Sequence, residues 1–139
     1  MPHEDGAAYY PLVATVSLGA PIVLDVYEKH HPPKETPEIN DRARISSNTQ
    51  KPVFRILQER RSLLITRGSM YTEYLHGIAE ATRDEHLNEQ SICNWGLLRD
   101  QEGFRRGWYE RETRTSLTYR DVLKVAKMGN TMKFLGGRK

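Results

Sequence analysis

Apolar and polar residues fall in short runs along this chain, and the runs have the length of β-strands. Residues 13–18 (Val-Ala-Thr-Val-Ser-Leu) and 22–27 (Ile-Val-Leu-Asp-Val-Tyr) are rich in β-branched and apolar side chains. The Gly19-Ala20-Pro21 between them predicts a hairpin with a tight turn. Residues 53–58 and 62–67 repeat the pattern around Glu59, Arg60 and Arg61 and predict a second hairpin ending at Gly68. Residues 71–78 read as a turn or short strand, 79–88 as a brief helix, and 113–119 as a further strand. Residues 29–52 hold four of the seven prolines, with His30 and His31, and no periodicity, which predicts a long solvated loop. Residues 83–111 are mostly polar and interrupted by Gly96, Gly103 and Gly107, an insertion expected to loop away from the main body. The end, Gly136-Gly-Arg-Lys139, is expected to fray. Many short strands and little helix predict a single, mainly β domain: an antiparallel sandwich, jelly roll or barrel.

Composition narrows this picture. The chain has 139 residues, of which 37% are hydrophobic. The core is therefore lean, as expected if polar insertions dilute it and further strands of the same domain lie outside this sequence. No stretch approaches the roughly 20 apolar residues needed to span a bilayer, because Ser17, Gly19, Pro21 and Asp25 interrupt the most apolar region. The start, Met1-Pro-His-Glu-Asp5, lacks the basic and apolar blocks of a secretory signal, and the single Cys93 cannot form an internal disulfide. A reducing compartment, cytoplasm or nucleus, is expected. The net charge is +3, with +6 in residues 99–139 and −3 in residues 1–98. A basic C-terminal third suits a polyanion such as nucleic acid, though an ordinary solvated surface accounts for a charge this small.

Three groups of residues carry candidate chemistry. His3 and Asp5 are separated by one residue, so on an extended backbone both side chains project to the same face. His76, in an apolar setting after the second strand pair, is the best third partner. Two imidazoles and one carboxylate make a facial triad, which holds one side of an iron(II) ion and leaves the other open. Taken singly, His76 reads more readily as a packed, hydrogen-bonded histidine. Arg114-Thr-Ser-Leu-Thr-Tyr-Arg120 sets Arg114, Ser116, Thr118 and Arg120 on one strand face. That face either meets solvent or turns inward, where two planar guanidinium forks could hold the ends of a short dicarboxylate. A weaker signal, Arg105-Arg-Gly-Trp-Tyr-Glu-Arg111, interleaves cations with aromatic rings, as base-stacking loops do, and as many surface loops also do.

In this order, Pro2-His-Glu-Asp-Gly6, Ser17-Leu-Gly19, Arg61-Ser-Leu-Leu-Ile65, Tyr74-Leu-His-Gly-Ile78 and Arg114 to Arg120 resemble the AlkB-like iron(II)- and 2-oxoglutarate-dependent dioxygenases, nearest their homologue-six branch. The resemblance covers residues 1 to about 124 and implies a double-stranded β-helix, or jelly roll, incomplete at its N-terminus. It implies His3, Asp5 and His76 as iron ligands and catalytic residues. Arg114 and Arg120 would bind 2-oxoglutarate, with Ser116 and Thr118 between them; Ser116 stands where Asn is more common. It implies oxidative demethylation of alkylated DNA or RNA with O2, the co-substrate being decarboxylated to succinate. The family's upstream Asn-x-Tyr strand and nucleotide lid have no counterpart here, so Met1 matches an internal position. Two rival readings remain: a catalytically impaired fragment that binds nucleic acid or acts as a scaffold, and a hydroxylase of protein side chains.

Overall fold

The computed structural model describes residues 1–29 and 51–124. The expected loop at 29–52, with His30 and His31, and the expected frayed end therefore lie wholly or mostly outside the described residues. Strands fall where the apolar pattern puts them: β1 (Tyr9–Gly19), β2 (Ile22–Glu28), β3 (Phe54–Gln58) and β4 (Ser62–Arg67). One helical turn, α1 (Ser69–Thr72), leads into β5 (Tyr74–Gly77). Then follow β6 (Arg83–Glu85), a helical turn at Trp95–Leu97, α2 (Gln101–Phe104), β7 (Trp108–Glu110) and β8 (Arg114–Val122). Every ladder is antiparallel. One sheet has the order β4-β1-β8, a second β3-β2-β5, and β6 and β7 form a separate ribbon. The architecture is mainly β and jelly-roll-like, and among the described residues no ladder joins the two larger sheets into a closed barrel.

Neither predicted hairpin forms. β1 pairs with β4 and β8, whereas β2 pairs with β3 and β5, so the β1–β2 and β3–β4 links each cross from one sheet to the other. The reason lies in the links themselves. Gly19 adopts a left-handed conformation at φ 71°, and a Cβ there would sit 2.7 Å from the Thr113 carbonyl oxygen. That oxygen accepts from the Ala20 amide at 3.2 Å, and Pro21 has no amide to offer a hairpin ladder. At the second link Arg61, at φ 63°, donates its backbone N–H to the Ser17 carbonyl at 2.7 Å. Both corners are thus tied to neighbouring strands of the β4-β1-β8 sheet.

The helix predicted at 79–88 is also absent, since β6 occupies its middle. Asp84 on β6 is buried and holds Arg111, whose Nε donates to it at 3.1 Å, so burial of this ion pair decides the local conformation over helical preference.

Residues 83–111 do not loop away. Leu87, Ile92, Leu98 and Phe104 form the main buried cluster with Val23 of β2 and Leu57 of β3, flanked by Trp95 and Tyr109. The segment also closes the sheet's open hydrogen-bonding positions. Asn94 donates to and accepts from the backbone of Leu57, both at 2.9 Å, and the Cys93 amide donates to the Arg55 carbonyl at 2.9 Å. An uncovered β3 edge would be a template for wrong pairing. Asp84 accepts from the Val23 amide at 3.3 Å, just past the end of the β2–β5 ladder at Asp25 and Gly77. No helix among the described residues is long and apolar enough to cross a membrane.

Candidate functional site

The two sheets face one another across a cavity of about 340 Å³. Strand alternation sets its walls: Val13 and Thr15 of β1, Leu64 and Thr66 of β4, and Arg114, Ser116, Thr118 and Arg120 of β8. Register fixes these residues in rows, with Thr66, Val13 and Arg120 side by side, then Leu64, Thr15 and Thr118. Leu24, Gln58 and His76 come from the opposite sheet, and His3 and Asp5 from the chain start. All seven residues singled out in the sequence, His3, Asp5, His76, Arg114, Ser116, Thr118 and Arg120, therefore line one cavity. The polar face of β8 turns toward this cavity, with Arg114 partly buried and Ser116, Thr118 and Arg120 exposed along an open side.

His3 adds a one-residue bridge to the free edge of β5. Its amide donates to the His76 carbonyl, and the His76 amide donates to the His3 carbonyl, both at 2.9 Å. The two imidazoles lie 4.6 Å apart between ring centres. Close backbone approach next door requires Gly77, where a Cβ would stand 3.2 Å from Pro2 Cα. Asp5, one step further along, has Oδ2 3.9 Å from His76 Nε2. Its Oδ1 accepts from Arg120 Nε at 2.8 Å and from a second nitrogen of the same guanidinium. Burial, the largest influence, lowers the His76 pKa below 6.5, against the opposing pull of Asp5. Its imidazole is thereby kept neutral, the form that ligates metals.

At the other end of β8, Arg114 reaches into the floor. One of its terminal nitrogens donates to Ser17 Oγ at 2.9 Å and to Gln58 Oε1 at 3.3 Å, and Ser17 Oγ donates to the same Gln58 oxygen at 3.0 Å. Ser17 and Gln58 are both buried. The sequence reading missed this pair; its available signal was a polar residue at an inward position of an otherwise apolar strand. Arg114 Nε is buried without a hydrogen-bond partner, and desolvation lowers the guanidinium pKa from its usual range.

Among the described residues no three His, Cys, Asp or Glu side chains already stand in a closed metal-holding arrangement. For bonds of about 2.1 Å at right angles, two donor atoms lie about 3 Å apart, so the Asp5–His76 pair is open by about 1 Å relative to that. The donor chemistry fits a ferrous ion, and the orphaned Arg114 Nε fits an incoming carboxylate. Trp108 is differently engaged than a free stacking platform would be. Arg106 lies over its ring at 4.1 Å and Arg83 at 5.2 Å.

No protein-family model matches the sequence. Among curated proteins, the chain is similar to the probable RNA/DNA demethylase ALKBH6 of Danio rerio, at 32% identity over 128 residues, 91% of this chain. The chain is AlkB-like. It spans about half the length of that relative, 49%. The matched region takes in nearly all of both larger sheets of this AlkB-like chain and the strand residues that line its cavity.

Proposed function

We propose that this AlkB-like chain forms the iron- and 2-oxoglutarate-binding part of a dioxygenase that demethylates alkylated nucleic acid. One observation carries the reading: the two imidazoles and the carboxylate gather at one end of a cavity whose opposite end holds a half-buried guanidinium with an unpartnered Nε. His3, Asp5 and His76 would hold the metal, which supplies the oxidising chemistry when 2-oxoglutarate and O2 are bound.

The remaining work belongs to the protein's own groups. The neutral imidazole of His76 offers a lone pair without a proton to displace. Arg120 holds Asp5 by one oxygen, fixing the carboxylate's orientation and leaving the other toward His76. Arg114, steadied by Ser17 and Gln58, presents its fork to the far carboxylate of the diacid. Arg120 would share the near carboxylate with Asp5, and the Ser116 and Thr118 hydroxyls lie between the two cations on the same wall. Val13, Leu24 and Leu64 supply apolar wall that strengthens these charge interactions by excluding water. The demethylase assignment draws on the name of the Danio rerio relative, and a nuclear or cytoplasmic setting suits such a substrate.

The engagement of Asp5 by Arg120 favours a second reading, a binding fragment without turnover, and one experiment separates the two. Anaerobic addition of iron(II) and 2-oxoglutarate is expected to give a visible absorption band that His76→Ala abolishes. Admission of air with a methylated oligonucleotide is expected to give succinate. No band and no succinate would eliminate the dioxygenase reading for this polypeptide; succinate with peptides in place of oligonucleotides would move the substrate to protein.

A further inference from the structure

A second polar concavity, of about 500 Å³, lies at the corner where β3 passes to β4. Arg60, Arg61, Arg99, Glu59, Asp100 and Phe104 line it. Three cations and two carboxylates would ordinarily pair and cancel. They do not pair here. Glu59 turns both carboxylate oxygens to backbone amides, accepting from Arg99 at 2.9 Å and Asp100 at 3.0 Å. Asp100 accepts from the Gly103 amide at 2.9 Å. The acids thus stitch the 99–104 turn to the β3–β4 corner, while the side chains of Arg60, Arg61 and Arg99 make no ion pair or hydrogen bond among the described residues.

The corner is rigid. Arg61, at φ 63°, donates its backbone N–H to the Ser17 carbonyl, and Ser62 Oγ donates to the Glu59 carbonyl at 2.7 Å. A left-handed backbone is strained for any residue that carries a Cβ. Glycine would relieve that strain, and an arginine stands there instead. Phe104, buried beneath, gives the concavity a firm floor. Guanidinium forks with unused donors, fixed on a stiff turn, match the paired oxygens of a phosphate group.

We propose that Arg60, Arg61 and Arg99 form a phosphate-binding site, distinct from the His3–Asp5–His76 cavity, that holds backbone phosphates of a single-stranded nucleic acid. The site is anchored through Ser17, four residues along β1 from Val13, the register partner of Arg120. That separation is about 13 Å at about 3.3 Å per residue, short enough for one strand to touch both places.

The test is a fluorescence-anisotropy titration of the full chain with an unmodified, labelled single-stranded oligonucleotide over a range of sodium chloride concentrations. Each phosphate contact contributes about 0.7 to the slope of log affinity against log salt for single strands. The triple variant Arg60→Gln, Arg61→Gly, Arg99→Gln is expected to lower that slope by about 2, the sum of three such contacts. A control removing three arginines elsewhere, Arg67→Gln, Arg83→Gln, Arg105→Gln, is expected to change it by less than half as much. Arg61→Gly alone is expected to weaken binding without lowering the thermal midpoint, since glycine suits that backbone. Equal losses in the two triple variants, or an unchanged slope in the first, would overturn the proposal. Inorganic phosphate titrated alone separates the sources: saturable binding of phosphate with an unaltered oligonucleotide slope would overturn the nucleic-acid assignment. None of these readouts requires iron or 2-oxoglutarate, so they stand or fall apart from the dioxygenase reading.

Discussion

At the residue scale, the site depends on how closely two stretches of backbone approach. Gly77 lets Pro2 lie against β5, and a methyl group there would meet Pro2 Cα at 3.2 Å and Pro2 N at 3.3 Å. Proline cannot yield by rotating φ, so Gly77→Ala displaces the His3 segment. The expected result is a drop of about tenfold or more in cobalt(II) or iron(II) affinity, read by metal titration, with the β-sheet circular dichroism unchanged. His76 makes a prediction about pH. Its folded pKa lies below the ordinary 6.5, chiefly through burial. Below pH 6.5 the unfolded chain therefore takes up a proton that the folded chain resists. This contribution to stability is full above 6.5 and declines as pH falls toward the lowered folded value. Urea midpoints measured between pH 7.5 and 5 are expected to fall, and His76→Asn should flatten the fall. A slope identical in variant and parent would refute the assignment.

At the element scale, the 83–111 segment behaves as a clamp on β2 and β3. Arg111 bonds Asp84 with two nitrogens and also donates to the Ala79 and Ala81 carbonyls. Asp84→Ala leaves Arg111 without its counter-charge in a buried setting, a loss expected to cost about 3–5 kcal/mol. Asn94→Ala strips two edge hydrogen bonds from Leu57 and is expected to cost about 1–3 kcal/mol, both measured by urea unfolding. The sequence could not show this clamp. Its core residues Leu87, Ile92, Leu98 and Phe104 follow neither a helical nor a strand period, so they resemble isolated apolar letters in a polar loop. The strands themselves were legible, because alternation is a local property. Their pairing was not, since Ala20-Pro21 is as short as a hairpin loop and only the Thr113 contact to Gly19 turns it into a corner. The candidate site was legible in part: spacing puts His3 with Asp5, and Arg114 with Ser116, Thr118 and Arg120, on common faces, whereas their meeting with His76 was implied only by the family resemblance. Gln58 and Ser17, one polar residue each, carry no such spacing.

At the scale of the whole molecule, the β4-β1-β8 sheet has two unlike faces. Its inner face carries the cavity, and its outer face presents Leu63, Ile65, Leu117 and Tyr119, each 45–60% exposed. Apolar surface this continuous binds hydrophobic dyes. Strong anilinonaphthalene sulfonate fluorescence is expected under native conditions, reduced by Leu63→Lys with Leu117→Lys; no difference between variant and parent would mean that this face is covered in solution. The crossing links at Gly19 and Arg61 have a kinetic consequence as well. β1 pairs not with β2, the next strand along, but with the more distant β4 and β8, and its hydrogen-bonded residues Ser17 and Arg114 stand 97 positions apart in sequence. Loop closure on that scale must precede any reward from pairing, which places such topologies among the slow folders, in milliseconds to seconds. A chain emerging from the ribosome would therefore carry β1 unpaired on one side until β8, with Arg114 and Arg120, had been synthesised.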